Sequence, residues 1–175
     1  GCAIPSLLIF PDCSTRYRKT PQSKAPMPTH SENRKLPYSP DQIYGLVADV
    51  ASYPKFLPWC AASRIRSRVP EGDTVVMNAD LIISFKVFRE SFGSKVILWN
   101  DKSRIETTYI NGPFRYMNSA WTFASDADGC TINFDVDFEM RNALLQGAVG
   151  LFFNEAMQRV VRAFERRAHD LYGES

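Results

Sequence analysis

The sequence predicts an α+β fold: a curved antiparallel sheet wrapped around one long C-terminal helix, with a short helical pair near the start. Three observations carry this. Apolar residues recur with period two through the middle of the chain, and with helical period through its C-terminal end. A capped, proline-initiated helical segment precedes the first alternating stretch. One sheet and one long helix make two layers around a single core, and 175 residues can bury such a core without disulfides or metals.

The first 40 residues differ in chemistry from the rest. They hold six basic residues (Arg16, Arg18, Lys19, Lys24, Arg34, Lys35) against two acids (Asp12, Glu32), and seven of the eleven prolines. Such a stretch sustains neither helix nor sheet for long. The chain therefore divides into a segment at 1–30 and a folded domain at 31–175. Two readings fit residues 1–30: a disordered tail with no role, or an organelle-targeting segment, which is basic, hydroxyl-bearing and poor in acid. Residues 13–20 (Cys-Ser-Thr-Arg-Tyr-Arg-Lys-Thr) match the second pattern.

At Ser39-Pro-Asp-Gln-Ile a helix opens, with Ser39 as cap, Pro40 in the first turn and Asp41 at the positive helix end. Ile43, Leu46, Val47 and Val50 follow at helical spacing. Residues 53–60 (Tyr-Pro-Lys-Phe-Leu-Pro-Trp-Cys) carry two prolines that break any long helix into an aromatic corner. Val75, Met77, Ala79, Leu81 and Ile83 then alternate as in a strand with one buried face. Further strands are expected at 88–98, 105–110 and 117–123, with turns at 100–103 and 125–129. The cleanest strand is 131–140, where every even position is apolar and every odd one polar, the pattern of an antiparallel sheet with one wet face. Residues 142–172 return to helical period, about 45 Å of helix at 1.5 Å per residue. Its apolar stripe runs through Leu145, Val149, Phe152, Phe153, Ala156, Val160, Phe164, Ala168 and Leu171. Five or six meandering strands are expected in all.

Composition removes several function classes. With 45% hydrophobic and 23% charged residues the chain is not disordered throughout. Its longest uncharged run, 142–154, is shorter than the roughly 18 residues of a membrane-spanning helix. A net charge of +2 leaves no broad footprint for nucleic acid. Cys2, Cys13, Cys60 and Cys130, with His30 and His169, show no zinc-ligand spacing and are too few for a disulfide scaffold. No metal or cofactor is expected.

A strongly curled sheet can leave an apolar hollow against the helix. Trp121, Phe123, Phe134, Phe138, Phe152 and Phe153, with adaptable Met140 and Met157, suit a greasy ligand, although the same spacing also describes a plain core. Gly147 and Gly150 interrupt the helical stripe. They mark close packing, a later helix start, or a kink that opens an entrance. Asp135, Asp137 and Glu139 belong to the wet face of their strand. Glu90 shares a parity with Phe88, Phe92, Val96 and Leu98 and so falls on the apolar side, unless a bulge returns it to water. No phosphate loop and no Gly-x-Ser-x-Gly elbow is present, so catalysis is not indicated.

Several stretches resemble one family. They are Leu36-Pro-Tyr-Ser-Pro-Asp-Gln-Ile-Tyr-Gly-Leu-Val-Ala-Asp-Val, the corner at 53–60, Ser91-Phe-Gly-Ser, and Gly112-Pro-Phe-Arg-Tyr-Met-Asn-Ser-Ala-Trp-Thr-Phe. Val136-Asp-Phe-Glu-Met-Arg-Asn, Phe152-Phe-Asn-Glu-Ala-Met and Ala163-Phe-Glu-Arg-Arg-Ala follow in the same order. Together they look like the coenzyme Q-binding protein family, part of the START-like lipid-transfer and polyketide cyclase superfamily. The resemblance covers about residues 32–172. It implies the helix-grip fold, ubiquinone held in a central cavity, and support of respiration and coenzyme Q biosynthesis. It also implies peripheral placement on the matrix side of the mitochondrial inner membrane, with residues 1–30 as an import signal. The expected quinone-lining residues are Leu57, Trp59, Trp121, Phe123, Phe134, Phe138, Met140, Val149, Phe153 and Met157, with Glu90 as a polar contact. Ala61 and Ala62 stand where many relatives carry lysines, so the contacts those lysines make with lipid headgroups or a partner are not carried over to this chain.

The leading expectation is thus a non-catalytic ubiquinone chaperone that meets the inner membrane and respiratory or quinone-synthesis enzymes. Two rivals share the fold. One is a protein-interaction module like the bacterial ribosome-association toxins; the other is a polyketide cyclase-like enzyme using Glu90 or another inward acid.

Overall fold

The computed structural model describes residues 29–85 and 88–173. The segment expected at 1–30 lies outside these residues except for Thr29 and His30, which open the first strand. The order is β1 (Thr29–Leu36), α1 (Pro40–Ala48), a 3₁₀ helix (Val50–Lys55), then β2 (Cys60–Glu71), β3 (Thr74–Phe85) and β4 (Phe88–Trp99). β5 (Arg104–Asn111), β6 (Phe114–Asp126), β7 (Gly129–Met140) and α2 (Ala143–Tyr172) complete it. Each of β2 to β6 pairs antiparallel with the next, and β1 closes the far edge on β7, so the sheet runs β1-β7-β6-β5-β4-β3-β2. This is the curved antiparallel sheet and long terminal helix of the helix-grip fold.

α1 forms as its sequence dictates. The Ser39 side chain accepts the Gln42 amide at 3.2 Å, and the Gln42 side chain accepts the Ser39 amide at 2.9 Å, a reciprocal capping box. Ile43, Tyr44, Leu46 and Val47 are buried, and the Tyr44 hydroxyl donates to the Trp99 carbonyl at 2.7 Å, tying α1 to the end of β4.

Seven strands form, where five or six are expected from the sequence. β1 was hidden because its inward positions, His30, Glu32, Arg34 and Leu36, are mostly polar. They face α2 rather than water, and polar or charged residues also blunt a sheet edge. β2 was hidden by two register shifts, between Cys60 and Ala62 and between Ile65 and Ser67, which erase any period of two. Where alternation is clean it translates directly: Cys130, Ile132, Phe134, Val136, Phe138 and Met140 of β7 are all buried.

The β6–β7 connection requires glycine. Gly129 has φ +153°, and a Cβ there would stand 2.1 Å from the Leu36 carbonyl oxygen at the end of β1. α2 is continuous for 30 residues, capped by Asn142, whose side chain accepts the Leu144 amide at 2.9 Å. It runs through Gly147 and Gly150 without a break, and a Cβ at either would meet open space. Close packing is therefore not their reason, and neither is a late helix start.

The core is densest under the C-terminal half of α2. Val161, Ala163, Phe164 and Ala168 are buried there against α1 and the aromatic corner. Phe164 meets Trp121 at 5.1 Å, Phe56 at 5.2 Å and Tyr53 at 5.5 Å, all edge-on.

Candidate functional site

The inward face of the sheet gathers most of the expected lining residues. Trp121, Phe123, Phe134, Phe138, Met140 and Phe153 are buried in one cluster, and Leu57, Val149 and Met157 pack against it half-buried. Trp121 stacks on Phe134 at 4.3 Å, and Phe138 lies against Phe153 at 4.5 Å. Trp59 is separate from this group. It stands at φ 64° at the start of β2, with its ring edge-on to Phe85 at 5.4 Å. Glu90 is half-buried opposite Ile83 in a β3–β4 ladder that has no register break, so it occupies an inward position with Leu81 and Phe92 as neighbours. Phe152, counted with the inward aromatics from its spacing, is instead 60% exposed.

Sequence reasoning missed part of the constellation. Phe92 meets Phe114 at 5.6 Å, Phe114 meets Phe138 at 5.7 Å, and Phe138 reaches Phe153. A ladder of rings thus runs from β4 across the sheet to α2. Phe92 was visible from its parity with Val96. Phe114 lies at a β6 register shift before Tyr116, where alternation fails.

α2 covers this end of the sheet incompletely. Leu144 (86% exposed), Leu151 (80%) and Phe152 present apolar surface to solvent, while Phe153 alone in this half is buried. The helix is held here from β1. His30 bonds the Asn154 side chain at 3.2 Å and Glu32 at 2.8 Å, Glu32 pairs with Arg34, and Arg34 lies 3.6 Å from Glu165. Burial alone would raise the Glu32 carboxyl, but the hydrogen bonds and charges of His30 and Arg34 outweigh it and hold the group below its ordinary value.

A cleft of about 550 Å³ opens at the other end of the sheet, between α1 and β2–β3, bounded by Tyr44, Val50, Ile65, Arg68, Met77 and Lys102. A smaller one of about 260 Å³ on the outer face is lined by Arg66, Asn78, Asp80 and Asn111 among others. Neither is lined by any residue expected to hold a quinone. Burial pushes the Cys60 thiol up against a weaker opposing bond to the Ala62 backbone, which disfavours the thiolate. Among the described residues no group of His, Cys, Asp and Glu is arranged to hold a metal ion, and no helix is long and apolar enough to cross a membrane.

Residues 36–165 match the family described as polyketide cyclase / dehydrase and lipid transport. The chain belongs to this family. Within it, the chain is 37% identical over 139 residues to a ribosome association toxin, RatA, of Rickettsia prowazekii, covering 78% of this chain and 92% of that protein. It is 31% identical over 149 residues to a mitochondrial coenzyme Q-binding protein, COQ10 homolog B, of Xenopus laevis, covering 82% of this chain and 59% of that one. An 18 kDa protein of Caulobacter crescentus superposes with a TM-score of 0.72 at 32% identity, over 85% of this chain and all of that one. A START superfamily protein of Mycobacterium smegmatis superposes at 0.68 with 19% identity, over 82% and 98% of the two chains, a likeness of fold alone.

Proposed function

We propose that this family member is a non-catalytic ubiquinone-binding chaperone that holds the quinone between the inward face of the sheet and α2. The observation that carries the reading is the incomplete cover at the β4 end. There the Phe92–Phe114–Phe138–Phe153 ladder lies beside a helix half whose Leu145, Val149 and Met157 are only half-buried. Apolar surface that a finished core would bury is available to a long apolar tail, and each CH₂ covered contributes about 0.8 kcal/mol. Similarity to a coenzyme Q-binding protein supports the choice of quinone.

On this reading Leu57, Trp121, Phe123, Phe134, Phe138, Met140, Val149, Phe153 and Met157 line the tail, Trp59 stands at the mouth, and Glu90 is a polar contact. Because the rings now touch one another, the tail enters as the first half of α2 moves outward. The protein would work peripherally on the matrix side of the mitochondrial inner membrane, delivering quinone to respiratory enzymes and supporting its biosynthesis. The basic residues of segment 1–30 support import. Mass spectrometry of lipid extracted from protein purified out of a quinone-replete host tests the proposal. Co-purified ubiquinone and saturable rebinding are expected. Lipid-free protein that takes up no added ubiquinone would overturn it.

One observation favours a second reading, association with ribosomes: the 37% identity to RatA extends over nearly all of that protein. Sedimentation through a sucrose gradient separates the two, since a ribosome partner carries this chain into the subunit fractions and a quinone chaperone stays at the top.

A further inference from the structure

Among the described residues, two buried side-chain polar atoms lack a hydrogen-bond partner, Tyr109 Oη and Arg167 Nε. The Arg167 guanidinium lies over the Phe56 ring at 5.4 Å, a contact that accounts for its position. Tyr109 has no such compensation. It lies on β5, the middle strand of the seven, opposite Ser94 in the β4–β5 ladder, which puts it on the inward face beside Val96 and Phe92. The Ser94 hydroxyl opposite it donates to the Ala79 carbonyl at 3.3 Å and makes no hydrogen bond with the Tyr109 hydroxyl. The Tyr109 ring packs edge-on against Phe114 at 5.5 Å, next to the aromatic ladder.

A buried hydroxyl with no partner destabilises a fold, and phenylalanine would keep the ring without that cost. Native unsatisfied groups of this kind call for an explanation, and a visiting ligand is one. We infer that Tyr109 donates its phenolic hydrogen to a neutral acceptor oxygen on an apolar ligand, the head-group carbonyl or ether oxygen of a quinone. The surrounding rings disfavour an anion, which would lose its hydration against Phe92 and Phe114. An uncharged carbonyl compound with a long tail suits both parts of the surface. Its oxygen meets the idle Tyr109 hydroxyl, and its hydrocarbon lies along the ladder. The inference rests on the quinone reading above and adds to it the residue that recognises the head.

The test compares wild type and Tyr109→Phe in titrations with a ubiquinone whose tail has six isoprene units and with squalene, a hydrocarbon of the same isoprene content and no oxygen. Loss of one hydrogen bond should weaken ubiquinone binding by about five- to tenfold and leave squalene binding unchanged. The thermal midpoint of ligand-free Tyr109→Phe should equal or exceed that of wild type. Equal ubiquinone affinity in the two proteins overturns the inference and leaves the quinone reading standing. A lowered midpoint in the ligand-free variant also overturns it, because the hydroxyl would then serve the fold. Wild type that binds neither probe removes both.

Discussion

The two halves of α2 carry comparable apolar stripes in different surroundings. In the C-terminal half, Val161, Ala163, Phe164 and Ala168 are almost fully buried, since α1 and the aromatic corner close over them from one side and the sheet from the other. In the N-terminal half, Phe153 alone is buried, and Leu144, Leu151 and Phe152 stand in solvent. Spacing along a helix states which side chains share a face. It does not state whether a second layer reaches that face. One half of α2 is structural core. On the proposed reading the other half is the cover of the quinone site, held by Phe138 against Phe153 and by the bond from His30 to Asn154.

The largest expected contrast comes from truncating one ring in each half. Phe164→Ala should lower stability by about 3–5 kcal/mol, because three aromatic neighbours would line the cavity it leaves. Phe152→Ala, one ring removed from an exposed position, should stay within about 0.5 kcal/mol of wild type. Urea unfolding measures both, and comparable losses would erase the distinction between the halves.

A smaller effect concerns the polar fastening of the cover. The folded Glu32 carboxyl titrates below its ordinary value of 4.5, so its contribution is complete above the unfolded value and is lost as pH falls through the folded one. The groups around it are His30 and Arg34 on its own strand and, from α2, Asn154 and Glu165. The stability difference between wild type and Glu32→Gln should therefore hold steady just above the ordinary carboxylate value and shrink as the solution is acidified below it. A difference that grows with acidification would contradict the sign. The smallest effect is expected at Gly147 and Gly150, where alanine meets no neighbour. Each substitution should stabilise the helix by up to about 1 kcal/mol, measured as a rise in the urea midpoint, and should slow ligand exchange if the glycines loosen the cover.

Where a residue's fate depends on its own strand or helix, the sequence is a sufficient guide. Strict alternation at 131–140 becomes β7 with its even positions buried, and the odd-numbered apolar residues of β3 point inward as their period requires. The capping box of α1 and the length of α2 follow in the same way. The gathering of Trp121, Phe134, Phe138 and Phe153 into one cluster was legible too, because period and parity put each on its inner face. Trp59 was not placed by these rules. Its positive φ turns it toward Phe85, and no spacing along the chain announces that.

By itself the sequence determined the fold class, the faces of the regular strands and the resemblance to the polyketide cyclase and lipid-transport superfamily, since these depend on local periods and short motifs. Only the tertiary structure decided that polar β1 joins the sheet, because its inward His30, Glu32 and Arg34 find partners on each other and on α2, 124 residues away in the case of His30 and Asn154. It likewise decided which half of α2 is covered and which buried phenol lacks an acceptor. Coverage and hydrogen-bond satisfaction belong to pairs of distant elements, and neither is encoded in the period of one.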